Sequence, residues 1–399
     1  MGMAKNYWME QLENGYYYVN KNVCSTCVDD LDLKKRVIKN GIIKTCSYCN
    51  KRRKCFEVDD IIEIIIEAIK EYYDELNTVG VPWSSDEEGN ATSVLDTDEV
   101  LNEIGYPDNN VDLRSDICDA FRDRQWTRVT DYFPQESIKL KYSWDTFANI
   151  TKYERRYTFL GFKDSDYSEF IPKVLLKAIQ NIIISLNIIN VFGDIDIYRC
   201  RNANKTYKTA KDLGSPPTQA SKYPNRMSPS GISMFYGSFD EITSIKEIYC
   251  KDKEKLYYNF GVFTPNRPMK ILDLSKLPKI PGLFSESNEL REPILFMKMF
   301  SDEISKTILK DGREHIEYVP SQIFTEYVRY YFKDYGNKNI DGIIYNSSIT
   351  QKQCIVIFID NDHCKDQNKS KLSENELILK KTYHYKRSST YIKKVINGI

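Results

Sequence analysis

The sequence predicts an α+β protein, with helices gathered before residue 190 and strands after it. Three observations carry the prediction. Apolar residues recur at helical spacing through the first half. Short, turn-bounded runs rich in Ile, Val, Tyr and Phe begin at Ile195. Two Cys-x-x-Cys pairs lie close to the N-terminus.

A chain of 399 residues suffices for two or three domains. Lys plus Arg and Asp plus Glu balance at 57 each, so no global field draws it to nucleic acid or an anionic membrane. The opening MGMAKNYWMEQ lacks the apolar region of a signal peptide. The greasiest run, IIISLNIINVF at Ile182–Phe192, is eleven residues long and broken by asparagines, too short to span a bilayer. The expectation is a cytoplasmic protein without a membrane partner. With 29 tyrosines in the chain, a single tyrosine carries little weight.

Residues 1–57 form the first expected segment. Cys24-Ser-Thr-Cys27 and Cys46-Ser-Tyr-Cys49 are separated by eighteen residues. Two such knuckles complete a tetrahedral S4 shell for a structural zinc, with no position left for water. Five of the ten cysteines precede residue 56, which favours a local metal site over a disulfide framework. Cys55 stands close by, but the two regular pairs make the better shell. The basic NKRRKC reads as a solvated charge run and at most a weak nucleic-acid reader, since few aromatics interleave it.

Residues 58–190 read as all-α. VDDIIEIIIEAIKEYYDEL places Ile61, Ile62, Ile65, Ile66 and Ile69 on one broad face, with Asp59 and Asp60 near its start. The linker VPWSSDEEGNATS follows, then TDEVLNEIG, DICDAFRDR, SWDTFANITKYERRYTFL and EFIPKVLLKAIQNIIISL. Residues 191–365 carry the strands DIYRCR, ISMFYGSF, YYNFGVF, MKILDLS, IDGIIYNS and CIVIFID, with helices EITSIKEIY, EPILFMKMFSDEISK and SQIFTEYVRYYF between them. Residues 366–399 look like a polar, basic tail.

The chemistry gathers in the strand-rich segment. Alternation puts Tyr198 and Cys200 on one face of the first strand and Arg199 and Arg201 on the other. A guanidinium fork at a strand end suits phosphate oxygens. Arg226 is a second such group, before the flexible Ser-Pro-Ser-Gly. Tyr236 ends the next strand, and in the following helix Ile242, Ile245 and Ile248 or Tyr249 form the apolar face, with Glu247 at its margin. Each of these fits ordinary surface chemistry alone. Together they suit a ligand with phosphates, a ribose and an aromatic base.

From about 190 to 365 the chain resembles the RES family, named for its Arg, Glu and Ser. The resemblance rests on Tyr198-Arg199, on Asn225-Arg226-Met227-Ser228 through Gly231 to Tyr236, on Glu247 in the next helix, and on Gly342 to Ser347 in DGIIYNSS, in that order. VPSQIFTEYVRYY, with Glu326, is similar to a helix of longer members. Family members occur as toxins that degrade NAD on a fold like that of ADP-ribosyltransferases. VCSTC, CSYCNKRRKC, RDRQWTRVTDYF and SWDTFANITKYERRYTFLG resemble the HEPN/RES N-terminal domain. Nuclease-active HEPN proteins use Arg-x(4–6)-His, whereas the three histidines here, at 315, 363 and 384, all lie outside the helical region.

The resemblance implies an NAD glycohydrolase or phosphorylase, a toxin or defence effector with an antitoxin or regulatory protein as candidate partner. Glu247, Arg199 and Tyr236 would be catalytic, and Arg199, Arg226, Tyr236 and Ser347 would bind NAD. Inorganic phosphate is a candidate co-substrate, and Cys24, Cys27, Cys46 and Cys49 would hold zinc. Two alternatives stand beside it: an ADP-ribosyltransferase acting on protein or nucleic acid, and a non-enzymatic binding or sensing module.

Overall fold

The computed structural model describes residues 15–76, 83–84, 89–90, 93–107, 109–121, 124–131, 134–157, 172–249, 255–308, 311–334, 336, 338–367 and 375–398. MGMAKNYWMEQ, most of the linker VPWSSDEEGNATS, the junction between YERRYTFL and EFIPK, and residues 368–374 lie outside them. The chain forms two compact units, one of residues 1–139 with 280–292 and the other of residues 140–279 with 293–399.

The first unit opens on a three-stranded antiparallel sheet of β1 (Asn22–Cys24), β2 (Ile42–Thr45) and β3 (Arg52–Glu57), ordered β1-β3-β2. Helix α1 (Leu31–Asn40) lies between β1 and β2 in the chain, and the Asp30 carboxylate caps it by accepting from Asp32 N and Leu33 N. Helix α2 (Val58–Tyr72) buries the isoleucine face expected of it. Asp59 of its first turn accepts from Val19 N and Asn20 N. Helices α3 (Thr97–Glu103) and α4 (Val111–Ala120) follow, with strand β4 (Tyr73–Glu75) paired to β5 (Trp126–Arg128). Asp96 and Glu99 form a capping box at α3.

A separate ribbon over residues 1–57 is not what forms. Val23, Val28, Leu33 and Val37 share one core with Ile61, Ile65, Leu101, Trp126 and Phe284. The ribbon has too few apolar side chains for a core of its own, so it borrows that of α2. Phe284 comes from the strand-rich half of the sequence. It meets Tyr106 edge to face at 5.9 Å, and its carbonyl accepts from Arg36 Nε.

The second unit is built on a nine-stranded mixed sheet. Its strands are β6 (Ile189–Phe192), β7 (Ile197–Ala203), β8 (Phe235–Ser238), β9 (Tyr257–Pro265), β10 (Met269–Asp273), β11 (Gly342–Asn346), β12 (Gln353–Ile357), β13 (Cys364–Asp366) and β14 (Leu377–Lys386). Their order is β13-β14-β9-β7-β8-β12-β11-β10-β6. Only β10 with β11 and β13 with β14 run parallel. One face buries Ile197, Phe235, Phe263, Ile355 and Ile357. The other packs Cys200, Tyr258 and Phe260 against Ile245, Ile392 and Val395.

Two expected boundaries move. The helices α5 (Glu136–Tyr153, from Leu140 on) and α6 (Pro172–Ser185) belong to this unit, not to the all-α region. Trp144 of α5 meets Phe300 of α8 (Arg291–Ser305) edge to face at 4.8 Å, and Phe300 meets Phe324 of α9 (Val319–Tyr330) at 4.9 Å. Gln180 of α6 accepts from the Tyr327 hydroxyl. The aromatic contacts of α5 and the hydrogen bond of α6 fix their allegiance. The expected tail supplies interior strand β14 and helix α10 (Thr390–Asn397), because Leu377, Ile378, Leu379, Ile392 and Val395 are buried among its lysines.

β14 pairs along β9 from Tyr257↔Lys386 to Pro265↔Leu377 and on its other side with β13. Deleting residues 377–398 should therefore abolish the cooperative unfolding transition of this unit. Denaturant melts followed by circular dichroism check it.

Candidate functional site

The site begins where the sheet comes apart. β7 pairs with β9 at seven positions but with β8 at only one, Tyr198↔Ser238. Gly237 allows even that approach, since a Cβ there would stand 2.5 Å from Ile197 Cγ2. Beyond it the strands diverge around a cavity of about 370 Å³. Its lining includes Tyr198, Arg199, Arg201, Tyr236, Glu247 and Tyr345.

Helix α7 (Glu241–Ile248) is fastened at the same junction. Ser238 Oγ donates to Asp240 O at 2.7 Å and lies 2.9 Å from Ser244 Oγ, whose proton has Asp240 O at 3.1 Å and Tyr198 O at 3.4 Å within reach. Asp240 caps the helix through Thr243 N. The buried side of α7 is Thr243, Ser244 and Ile245, and Ile242, expected in the apolar face, is exposed. Hydroxyls replace apolar groups there because they satisfy backbone groups at the parting strands. Glu247 lies three residues after Ser244, where helical spacing returns to the same side. It is exposed at the cleft mouth.

Ser347 is buried just beyond the end of β11. Its hydroxyl accepts from Ile349 N and Thr350 N at 3.1 Å, and its proton is directed to Glu247 Oε1 at 2.5 Å. The serine therefore holds the glutamate. Cys354, also in the lining, has its thiol pushed up by burial and then by Glu247's charge, so it stays protonated.

Arg199 lies over the Phe235 ring, 5.1 Å from its centroid, and donates to Tyr236 O. Burial, and next the charge of Arg201, lower its pKa to about 9. Arg201 donates to Gly214 O. Tyr236 has its hydroxyl fixed by Met227 N and Ser228 Oγ, and burial raises its pKa to about 12.

The structure brings Arg199, Tyr236, Glu247 and Ser347 together. Arg226 is not in the cleft lining, although its charge reaches Tyr345 and Cys354, which are. Its guanidinium donates to Ile304 O and Lys306 O at the end of α8 and lines a separate cavity of about 230 Å³ with Trp144 and Glu317. The turn that carries it is clamped, as Ser321 Oγ donates to Arg226 O and Gln322 Nε2 to Asn225 O and Ser228 O. The Ser-Pro-Ser-Gly backbone, expected to be flexible, starts inside that clamp. Glu326 on α9 is outside the cleft lining, and burial raises its pKa. The Ser238–Ser244 junction escaped the sequence reading, because two serines on different elements carry no spacing signal.

In the first unit, the sulfurs of Cys24, Cys27, Cys46 and Cys49 all lie within 4.8 Å of one another. Cys24–Cys27, Cys24–Cys49 and Cys27–Cys46 stand 3.7, 3.7 and 3.8 Å apart. A tetrahedral shell with Zn–S near 2.3 Å has an S–S edge of about 3.8 Å, so the four fit a zinc. Cys55 is not among them and points its thiol at Lys44 O and Arg53 O. Arg53 and Lys54 of the basic run are engaged with Thr26 Oγ1 and Ile38 O.

Replacing Ser238 with Ala removes the link between strand junction and helix. It should cost about 0.5–1.5 kcal/mol, read as a lowered urea midpoint with unchanged slope.

Three comparisons with known proteins bear on the chain. Residues 39–165 match the family described as HEPN/RES N-terminal domain 1, a span that includes Cys46 and Cys49 but not Cys24 and Cys27. Residues 196–378 match the RES domain. No curated protein matches the sequence. Among solved structures, the M. tuberculosis MbcT–MbcA toxin–antitoxin complex aligns at 10% identity, covering 52% of this chain and 92% of that one. Its TM-score of 0.29 carries no argument. On the two family matches, the chain joins a HEPN/RES N-terminal domain to a RES domain.

Proposed function

We propose that the protein consumes NAD by breaking the bond between nicotinamide and ribose. One observation carries the reading: within a RES domain, Ser347 aims its proton at a Glu247 carboxylate on a cleft that also holds half-buried Arg199. The cleft thus offers both a negative and a positive group to one ligand.

In this reading Arg199 takes the diphosphate, and the Tyr236 ring, immobilised through its hydroxyl, lies against the nicotinamide. Glu247 accepts from a ribose hydroxyl and faces the positive charge that grows at the anomeric carbon. As the C–N bond breaks, its electron pair moves to the ring nitrogen, which is already cationic, and neutral nicotinamide leaves. No general acid is needed. Water or inorganic phosphate then closes the cation, losing a proton to solvent if water attacks. Ser347 serves by holding the carboxylate, and Arg226 stays outside, its guanidinium committed to the end of α8. Loss of NAD harms a cell, so the activity suits a toxin or defence effector restrained by a protein partner. The four-cysteine cluster holds one zinc that fastens the first unit and takes no part in the reaction.

Replacing Glu247 with Gln keeps the shape and removes the charge. Turnover should fall about 10²–10³-fold, while NAD binding changes far less. Free nicotinamide and the adenine-bearing product are followed by mass with and without phosphate. ADP-ribose in both conditions marks a hydrolase, the 1″-phosphate a phosphorylase, and label on a macromolecule a transferase. Intact NAD throughout would overturn the reading. For the metal, elemental analysis should find one zinc per chain, lost with Cys46→Ser. Chelation should disorder the N-terminal unit without removing the chemical step.

A further inference from the structure

Strand β7 carries two guanidiniums on one face. Arg199 and Arg201 are two residues apart, about 7 Å along a strand, and both line the cleft. The Nε of each is buried without a hydrogen-bond partner. Each guanidinium has five donors. Arg199 spends one on Tyr236 O, and Arg201 spends one on Gly214 O.

Among the described residues neither arginine makes a salt bridge. No carboxylate is among the groups acting most strongly on Arg199. Asp212, which acts on Arg201, is engaged by the Thr209 hydroxyl at 2.8 Å. Arg199 nonetheless keeps its charge at neutral pH, since its pKa falls only to about 9. Exposed Lys222 adds a third cation to the lining. Half-buried cations side by side, with no salt bridge among the described residues, are costly in the free protein, and an anionic ligand with two charged groups relieves both at once. The second phosphate clamp expected from the sequence, Arg226, is outside the cleft lining and donates to Ile304 O and Lys306 O.

We propose that Arg201 is the second diphosphate-binding residue of this site, gripping with Arg199 the two phosphates of a dinucleotide whose nicotinamide ribose faces Glu247. The assignment rests on the NAD reading above. It gives the cleft a direction, with the diphosphate at β7 and the scissile bond at α7.

The test measures binding of ADP-ribose to the full chain by calorimetry, and kcat and KM for NAD. Replacing Arg201 with Met, which keeps the length of the stem, should weaken ADP-ribose at least tenfold and raise KM by a similar factor, with kcat changed less than threefold. Nicotinamide, which lacks phosphates, should inhibit parent and variant alike. If circular dichroism shows the Met variant unfolded, Arg201→Lys is read instead: it keeps the charge but loses the fork, and should weaken ADP-ribose severalfold. Parent-like binding by a folded variant overturns the role of Arg201 alone. A parent that binds neither ADP-ribose nor NAD overturns the NAD reading and this assignment together.

Discussion

The second unit depends on one junction, where Ser238 and Ser244 tie the only register pair between β7 and β8 to the first turns of α7. A sheet that stayed fully paired there would have no cleft. Strands that parted with their polar groups unmet would pay the desolvation cost of buried, unbonded carbonyls. The two hydroxyls meet both demands. They close the backbone accounts at Asp240 and Tyr198 and set the helix so that Glu247 follows three residues later at the mouth.

From that junction the remaining parts fall into place. β11 ends beside α7 and hands Ser347 to Glu247. α9 clamps the turn at Asn225–Ser228, and this turn in turn fixes the Tyr236 hydroxyl. Arg199 and Arg201 sit within β7, Tyr236 within β8 and Glu247 in the last turn of α7, regular elements that hold side chains more accurately than loops do. The exception is electrostatic. Two half-buried guanidiniums on β7 make no salt bridge among the described residues, and each keeps a buried Nε without a hydrogen-bond partner.

The first unit solves a different problem. Its N-terminal ribbon is too poor in apolar side chains to fold by itself, and it is held from two sides. Four sulfurs at zinc spacing gather at one end, and the isoleucine face of α2 covers the other. Residues 280–292, excised from the middle of the RES match, complete the same core through Phe284. Family boundaries and compact units therefore do not coincide. A family match follows the order of residues, while a core follows where apolar surface is buried.

Much of this was legible in the sequence. The α+β class, the isoleucine face of α2, the strands from Ile195 and the paired cysteine knuckles each rest on local spacing, which the chain carries with it wherever it goes. Arg199, Tyr236, Glu247 and Ser347 were legible as an ordered motif. What the sequence could not decide depends on distant partners. Lysines between Leu377 and Val395 hid an interior strand and a packed helix, because burial of their apolar neighbours is settled by β9 and α7. Helices α5 and α6 look alike whichever core they join, and tertiary contacts such as Trp144 on Phe300, Lys152 with Glu317 and the Gln180–Tyr327 bond assign them. Arg226 and Arg201 make the sharpest contrast. By composition either suits a phosphate, but the end of α8 captures the first, while strand alternation leaves the second facing the cleft. Local spacing wrote the residues and their order. Tertiary structure decided which charges meet the end of a helix and which face the cleft.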